Sequence, residues 1–378
     1  MYSVHQHWDP LKVCLVGRSY PAEFYSFIQN SKVRTVMETI ANETEEDYQK
    51  LISLLHSFGV TTLRPDLTDS IEDYRGTLRY ESPPMTPRDY TAMIGNTFYL
   101  SKNGKKNRFD AKWHEWRGND WPLNPPSSKV EFDLLPENLK NEILGYEKEL
   151  YFNNTSWDNV IKHVTQQGNT IEFDTGINTA MTTRVGRDLY IGTDGIEDCI
   201  KAANIQKNKF PNYRTHVIDT RGHADGTYCP VKPGLIISLE EIPTYSDTFP
   251  DWEVVYLPGQ SWAMVDPFLK LKRKNAGKWW VTGQELNDDF TEFVESWLGH
   301  WVGYVEETVF DVNMLGIDEK NVVCNNYNKK VFDAFDRHGI TPHIVNFRHR
   351  YFWDGGLHCI TSDIHREGTM KDYFPSRG

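Results

Sequence analysis

The chain has 378 residues, of which 39% are hydrophobic, 25% charged and 13% aromatic, so it carries enough apolar material for a folded core. Its formal net charge is -12, from 41 Lys and Arg against 53 Asp and Glu, and such a charge repels nucleic acid and favours small cationic ligands. The mean hydropathy of -0.59 and the lack of an uncharged apolar run of about 20 residues exclude a transmembrane helix, so we expect no membrane partner.

The cysteines predict a reducing environment. The chain has five of them, widely spaced and without a Cys-x-x-Cys pair, which indicates neither a disulfide framework nor a zinc knuckle. The first ten residues lack the basic start and apolar stretch of a signal peptide. We therefore expect a cytoplasmic protein.

A helix followed by a strand is the first predicted unit. Asn42 precedes an acidic residue, Glu45, at capping-box spacing, apolar residues at helical spacing follow, and Gly59 ends the helix before a strand at 60–63. A similar junction at Gly339 leads to a strand at 340–345. A third copy is expected from a helix at 196–205 and a strand at 215–218.

Strand–turn–strand patterns recur four times along the chain, each with Gly, Asn or an Asp-Glu pair at the reversal. They lie at 91–100, 182–191, 228–238 and 312–323. Their starts are separated by 91, 46 and 84 residues, close to multiples of about 45, which indicates modules arranged around a common axis.

We therefore predict one closed α/β domain over residues 1–378. Two stretches rich in Trp, Pro, Asn and charge, at about 102–156 and 243–301, are predicted to be insertions carried by single modules. Within the first, the Trp-rich segment 113–121 is a candidate lid, or alternatively a surface or subunit contact.

Reactive side chains stand ahead of the successive hairpins. They are Asp89, Asp174, Asn178, His223, Asp225, Asp311, Asn313 and Cys359. Taken singly, a cysteine is usually a small buried hydrophobe and an aspartate ahead of a strand is usually a cap. In a ring of modules, however, these entry points meet at one end of the axis, so we expect carboxylates, an imidazole and a thiol to share one pocket.

The same segments resemble the amidinotransferase family, in the right order from about Trp8 to Gly368. The similarity rests on Trp8-Asp9-Pro10-Leu11, Pro87-Arg88-Asp89, His223-Ala224-Asp225, Asn313-Met314-Leu315 and Gly355-Gly356-Leu357-His358-Cys359-Ile360-Thr361. The resemblance implies the pentein fold, a five-bladed α/β propeller with pseudo-fivefold symmetry, which agrees with the repeats.

The resemblance also implies an activity and the residues that carry it. Cys359 is expected to be the nucleophile, His223 the general acid and base, Asp89 and Asp225 the acids that hold a guanidinium, and Asn313 a further substrate-binding residue. The implied reaction moves the amidino group of L-arginine to a primary amine, glycine or another, through an amidino-cysteine, and releases ornithine. No metal or organic cofactor is expected, and the family's common assembly implies a homodimer.

Two alternatives to amidino transfer remain open. If water replaces the amine, the same site is a deiminase-type hydrolase that forms a ureido product. The second alternative is a protein that binds guanidines without turnover. Asn178 is the residue that suggests it. Counting back without gaps from 185–188, Asn178 occupies the position of the family's essential acid.

Asp174 is the favoured occupant of that acidic position. It lies four residues before Asn178 in a similar motif and requires a local bulge. An even shift keeps a strand residue on the same face, so Asp174 can replace the missing acid.

The amine acceptor is weakly encoded. Arg348, Arg350 or Lys232 could bind an acceptor carboxylate, although each is also typical of a solvated surface charge. Asp311 stands where the resemblance leads us to expect a small hydroxyl residue, which allows an acceptor unlike glycine.

Overall fold

The computed structural model describes residues 1–67, 71–72, 78–79, 82–101, 137, 140–141, 155–174, 177, 179–193, 195–220, 222–239, 242–257, 279–298, 301–302, 311–353 and 355–377. The strands of this part of the chain are β1 (Leu11–Val16), β2 (Thr61–Leu63), β3 (Ile71–Glu72), β4 (Leu78–Arg79), β5 (Thr91–Ile94), β6 (Thr97–Ser101), β7 (Thr170–Asp174), β8 (Thr182–Val185), β9 (Asp188–Thr193), β10 (Arg214–Asp219), β11 (Tyr228–Lys232), β12 (Leu235–Ser238), β13 (Glu253–Tyr256), β14 (Leu315–Gly316), β15 (Asn321–Cys324), β16 (Thr341–Ile344) and β17 (Thr361–Arg366).

The α-helices of the same ranges vary from one turn to 27 residues. They are α1 (Ser31–Ser57), α2 (Pro87–Tyr90), α3 (Asp158–Gln166), α4 (Ile196–Lys209), α5 (Ala224–Thr227), α6 (Tyr245–Thr248), α7 (Asp288–Phe293), α8 (Lys329–His338) and α9 (Arg350–Trp353). Short 3-10 helices occupy Ala22–Phe27, Thr155–Trp157, Thr179–Met181 and Pro375–Arg377, and a π-helix occupies Val294–Leu298. None of these described helices is both long and apolar enough to cross a bilayer.

The described strands form five three-stranded sheets of one construction, which we call blades A to E. In each blade two strands pair antiparallel and a third joins in parallel. Blade A is β17-β1-β2, B is β5-β6-β7, C is β8-β9-β10, D is β11-β12-β13 and E is β14-β15-β16, while β3 and β4 pair separately.

Within the described ranges, five apolar cores join consecutive blades. Their representative pairs are Val13 with Met93 between A and B, Ile94 with Leu189 between B and C, Tyr190 with Ile236 between C and D, Leu235 with Val322 between D and E, and Val323 with Val16 between E and A. Because the last core returns from blade E to blade A, the blades close into a ring. The predicted five-bladed α/β propeller is confirmed.

The antiparallel pairs at all four predicted hairpins are present in blades B to E. The pair in blade A was not predicted, because its two strands come from opposite ends of the sequence. β1 lies against β17, with Val16 opposite Thr361 and Leu11 opposite Arg366. The ring is therefore closed by a contact between distant segments.

Helix α1 begins earlier than the sequence analysis predicted. The Asn30 side chain accepts hydrogen bonds from the backbone N–H groups of Lys32 and Val33 at 3.1 and 3.4 Å, which caps the helix. Asn42 lies in the middle of the helix and is exposed, so its predicted role as the N-cap is wrong. The buried face starts upstream of Asn42, at Val33 and Met37, and this packing extends the helix backward.

The helix–Gly–strand junctions are confirmed. Gly59 and Gly339 both have positive φ, +73° and +64°, and β2 and β16 follow them. The expected third copy consists of α4 and β10, which are longer than their predicted ranges of 196–205 and 215–218.

The predicted insertions are described only in part. Residues 102–136, which include the candidate lid at 113–121, and residues 258–278 lie outside the described ranges. Strand β13 falls within the second predicted insertion, 243–301, but pairs with β12 as the third strand of blade D. That part of the stretch therefore belongs to the repeated unit.

The C-terminal segment crosses blade C. The Arg187 N–H donates to the Lys371 carbonyl at 2.9 Å, and Arg214 Nη1 donates to the Phe374 carbonyl at 2.9 Å. Phe374 is buried in the core between blades C and D together with Trp8. Residues near both ends of the sequence thus contribute to one core.

Candidate active site

Short helical turns precede the first strands of several blades and carry the reactive residues toward the ring axis. Helix α2 carries Asp89 ahead of β5, helix α5 carries Asp225 ahead of β11, and the turn at 357–360 carries Cys359 ahead of β17. The Arg88 N–H of α2 donates to the Cys359 carbonyl at 3.2 Å. Three turns that are far apart in sequence therefore meet at one end of the propeller.

The Cys359 thiol lies between a carboxylate and an amide. Its Sγ is 3.4 Å from Asp225 Oδ2, to which the thiol donates, and 3.0 Å from Asn313 Nδ2, which donates to it. The residue is only 4% exposed. An amide donor favours a sulfur anion, whereas an adjacent carboxylate opposes it, so Asn313 and Asp225 act on this thiol in opposite directions.

Asn313 is fully buried and bridges the two turns that carry Asp225 and Cys359. Its Nδ2 also donates to the Asp225 carbonyl at 3.2 Å, and its Oδ1 accepts from the N–H groups of His358 and Cys359 at 2.8 and 3.2 Å. Both ends of the amide are thus engaged by the protein. This geometry fixes the positions of Cys359 and Asp225, and a contact between Asn313 and substrate stays a prediction.

The Asp225 carboxylate is ionised and has one oxygen available. Oδ2 accepts from His358 Nδ1 at 2.7 Å, while Oδ1 is buried and has no hydrogen-bond partner among the described residues. Burial acts to raise the pKa of Asp225, but the hydrogen bond and charge of His358, followed by the charges of His223 and Arg88, lower it to about 2. An unsatisfied buried anion is costly and points to a cationic ligand.

His223 and Asp89 form a second pair at the site. His223 Nδ1 lies 3.7 Å from Asp89 Oδ1, and the His223 side chain is 46% exposed. His223 is the N-cap residue of α5, two positions before Asp225, and its charge lowers the pKa of Asp225. This accessible imidazole, beside a carboxylate, is placed to exchange protons with a bound molecule.

Beneath the site, Asp363 of β17 accepts hydrogen bonds from three buried guanidinium groups. Arg88 Nη1 and Arg184 Nη2 donate to Oδ1 at 3.2 and 2.6 Å, and Arg366 Nε donates to Oδ2 at 2.6 Å. The three arginines come from segments of blades B, C and A, and each side chain is at most 2% exposed. Burial acts to raise the pKa of Asp363, but these charges hold it well below its usual range.

Of the two residues considered for the family's acidic position, one lies within the described ranges. Asp174 is the last residue of β7, where its backbone lies opposite Ser101 of β6. Asn178 lies outside the described residues. The choice between them stays a prediction.

The three basic side chains considered for acceptor binding all contact the protein. Arg348 Nε donates to Asp47 Oδ2 at 2.9 Å, Lys232 Nζ donates to the His338 carbonyl at 3.2 Å, and Arg350 Nη1 donates to Asn346 Oδ1 at 2.8 Å. Asp311, the unexpected acid, accepts from Asn326 Nδ2 at 2.6 Å. Binding of an amine acceptor by any of these side chains stays a prediction.

His358 is a site residue that the sequence analysis did not single out. Its sequence signal is its position next to Cys359, but its partner Asp225 is distant in sequence, so only the fold brings the two side chains together.

Within the described ranges, no cluster of three or more His, Cys, Asp or Glu residues is arranged to hold a metal ion.

Comparison with known proteins finds similarity over almost the whole chain. It is 24% identical over 401 residues to the mitochondrial glycine amidinotransferase of Xenopus tropicalis, covering 98% of this chain and 84% of that protein. The corresponding Gallus gallus protein is also 24% identical, over 404 residues with the same coverage. An L-arginine:L-lysine amidinotransferase of Pseudomonas savastanoi pv. phaseolicola is 22% identical over 208 residues, 54% of this chain and 48% of that protein.

Solved structures show the same fold. An amidinotransferase of saxitoxin biosynthesis from Microseira wollei superposes with a TM-score of 0.61 at 16% identity, and inosamine-phosphate amidinotransferase of Streptomyces griseus superposes with 0.58 at 17% identity. Each comparison covers 99% of both chains. The chain matches no protein-family model.

Proposed function

We propose that the chain, which is similar over 98% of its length to glycine amidinotransferases, transfers the amidino group of L-arginine to a primary amine through a covalent intermediate on Cys359. Ornithine is the first product. The observation that carries this proposal is the buried Cys359 thiol at 3.4 Å from Asp225, a carboxylate whose Oδ1 is buried and has no hydrogen-bond partner among the described residues.

A guanidinium matches this arrangement better than a neutral ligand does. It is planar and permanently charged, and its fork of donors pairs with carboxylate oxygens. Asp225 Oδ1 and the Asp89 carboxylate supply acceptors, and a cation bound there offsets the negative charge beside Cys359. Substrate binding therefore favours ionisation of the thiol that attacks it.

In the first half reaction, the Cys359 thiolate attacks the central guanidinium carbon of arginine. The bond between that carbon and the ornithine nitrogen breaks, and His223 supplies the proton that the departing amine needs. The amidino group remains on sulfur, and His223 is left neutral.

In the second half reaction, the acceptor amine attacks the amidino carbon. Neutral His223 removes a proton from this amine, the carbon–sulfur bond breaks, and Cys359 leaves as a thiolate. The acid and base roles of His223 thus alternate, and one cycle returns the enzyme to its starting state without a metal or organic cofactor.

Asp174 is proposed to act as the further acid that holds and orients the guanidinium, with Asn178 as the competing occupant of that position. Asp174→Asn and Asn178→Asp separate the two. We expect loss of turnover in Asp174→Asn and retained turnover in Asn178→Asp. Retained turnover in Asp174→Asn would remove Asp174 from the mechanism.

The covalent step is tested by mass spectrometry after the protein is mixed with arginine alone. We expect a mass gain of one amidino group on Cys359 and one equivalent of ornithine, both absent in Cys359→Ala. Cys199→Ala, which changes a cysteine of α4, serves as the matched control and should still gain the group. Full ornithine production by Cys359→Ala would refute the nucleophile.

Candidate amines then separate transfer from hydrolysis. Ornithine formed over many turnovers only with an amine present supports transfer. Citrulline, ammonia or urea formed without an amine supports the hydrolase, and arginine binding without any product supports a guanidine-binding protein. We expect turnover to persist after chelation of divalent ions. The cytoplasmic location and the homodimer remain predictions.

A further inference from the structure

We infer that His358 is a positioning residue, which keeps the Asp225 carboxylate ionised and oriented so that Oδ2 faces Cys359 and Oδ1 is left for the substrate. This inference rests on the proposed function, because it assigns to Asp225 the binding of a guanidinium. It concerns a residue that neither attacks the substrate nor exchanges protons with it.

The hydrogen bond defines where the His358 proton lies. A carboxylate only accepts hydrogen bonds, so the Nδ1 atom at 2.7 Å from Asp225 Oδ2 carries the proton. Burial, followed by the charge of Arg88, lowers the pKa of His358 even though Asp225 acts to raise it. Near neutral pH the pair is therefore a neutral imidazole donating to an ionised carboxylate, and the His358 charge that lowers the pKa of Asp225 is present only in acid, once His358 is protonated.

The surroundings hold the His358 ring in this orientation. Its backbone N–H donates to Asn313 Oδ1 at 2.8 Å, and the His7 ring packs edge-on against it at a centroid distance of 5.7 Å. Burial, with the charges of Arg184 and Arg88, holds the pKa of His7 well below its usual range, so His7 adds no charge near neutral pH. The charged side chains acting on His358 are Arg88, Asp225 and Asp363.

Among the groups that lower the pKa of Asp225, His358 has the largest effect. The carboxylate is 8% exposed, and burial acts to raise the pKa of a carboxyl that loses its donor, against which only the charges of His223 and Arg88 would still act among the causes that lower it. The Cys359 thiol, the other donor to Oδ2, is lost as a donor when it ionises. Among the described residues, His358 is then the remaining side-chain donor to Oδ2.

Two opposite effects follow if His358 is removed. A protonated Asp225 attracts a guanidinium less, so arginine binding weakens. The same neutralisation removes the negative charge at 3.4 Å from the Cys359 sulfur, so the thiol of the substrate-free enzyme ionises and reacts more readily. A purely structural role predicts a different result, because a loosened site loses arginine affinity without this coupled gain in thiol reactivity.

The experiment compares His358→Asn, His358→Gln and His358→Leu. Asparagine places its amide nitrogen near the position of Nδ1, whereas glutamine places it near Nε2, so only the former reproduces the donor to Asp225. His343→Leu is the matched control, because His343 lies in β16 of blade E and contacts Phe58 and Asn321 instead of the site.

Two measurements do not require turnover. One is arginine affinity, determined in the Cys359→Ala background. The other is the rate at which iodoacetamide alkylates Cys359 in the substrate-free enzyme at pH 7, followed by peptide mass spectrometry. We expect His358→Leu and His358→Gln to weaken arginine binding by at least about tenfold, the loss of one hydrogen bond to a charged group, and to speed alkylation severalfold.

His358→Asn and the control should stay within about threefold of the parent protein in both measurements, a difference of less than 1 kcal/mol. The inference is overturned if Asn and Gln behave alike, or if affinity and alkylation fall together. If His358→Leu does not fold, the comparison of His358→Asn with His358→Gln still tests the inference. Failure of the parent protein to bind arginine would count against the proposed function, and the alkylation series would then test the inference separately.

Discussion

Asp363 is the residue on which three buried cations depend. Its carboxylate accepts from Arg88, Arg184 and Arg366, so Asp363→Asn leaves three buried guanidinium groups without their anion. We expect a loss of about 3 to 5 kcal/mol in the free energy of unfolding, the range for breaking a buried ion pair from one side. Urea denaturation measures it.

The matched control is Asp333→Asn, the same substitution in an exposed pair with Lys329 of helix α8. It should leave the urea midpoint unchanged, because exposed ion pairs contribute little. Equal midpoints for the two variants would mean that the cluster below the site does not stabilise the fold.

The ionisation of Asp225 predicts a loss of stability in acid. Its pKa is about 2 in the folded protein against an ordinary value of 3.8, so the stabilisation is complete above about pH 4 and disappears as the pH falls toward 2. The lowered pKa of His358 acts in the same direction below pH 6.5, because only the unfolded chain readily takes up that proton.

Urea denaturation between pH 7 and pH 2 tests this prediction. The stability difference between the parent protein and Asp225→Asn should shrink by on the order of 2 kcal/mol over the acid limb. A difference that is constant with pH would contradict an ionised Asp225.

At the scale of the element, substitutions in helix α1 test which residue is its N-cap. Asn30→Ala removes the acceptor for the Lys32 and Val33 N–H groups and should cost about 1 kcal/mol in the free energy of unfolding. Asn42→Ala changes an exposed residue inside the helix and should be neutral or slightly stabilising, because alanine favours helix. Thermal unfolding of both variants measures the two losses of stability. A larger loss for Asn42→Ala than for Asn30→Ala would support the predicted helix start at Asn42.

The difference between predicted and observed elements has a physical pattern. Four antiparallel pairs were predictable because their strands and turns are adjacent in sequence. The start of α1 was not, because the capping-box spacing at Asn42 is a local signal, whereas burial of Val33 and Met37 depends on tertiary packing. The same limit applies to the contacts of Arg348, since its partner Asp47 is far away in sequence.

The candidate site also contains residues that the sequence could predict and residues whose contacts it could not. Cys359, His223, Asp89 and Asp225 were identifiable because residue types and motif order signal reactive chemistry. The role of His358 was not, because it depends on the distance from its Nδ1 to Asp225. The engagement of both ends of the Asn313 amide likewise becomes visible only when the turns are brought together.

At the scale of the whole molecule, the C-terminal segment is joined to blade C at Gly186. A Cβ atom at this residue would lie 2.0 Å from the Lys371 carbonyl oxygen, and its φ is +63°. Gly186→Ala should therefore cost more than Gly168→Ala, where φ is +82° and nothing lies within 4 Å of the added atom. The control isolates the cost of positive φ, about 1 to 2 kcal/mol.

Urea denaturation and limited proteolysis of the two glycine variants measure the effect. We expect Gly186→Ala to have the lower midpoint and to be cleaved faster near 370, because the segment must move to make room. Equal midpoints would show that the segment moves away from blade C without loss of stability.

Blade A has a consequence for truncated forms of the protein. Its strand β1 pairs with β17, and Cys359 lies two residues before β17. A chain cut before Cys359 would therefore have neither a complete blade A nor the proposed nucleophile, and its ring of blades would stay open.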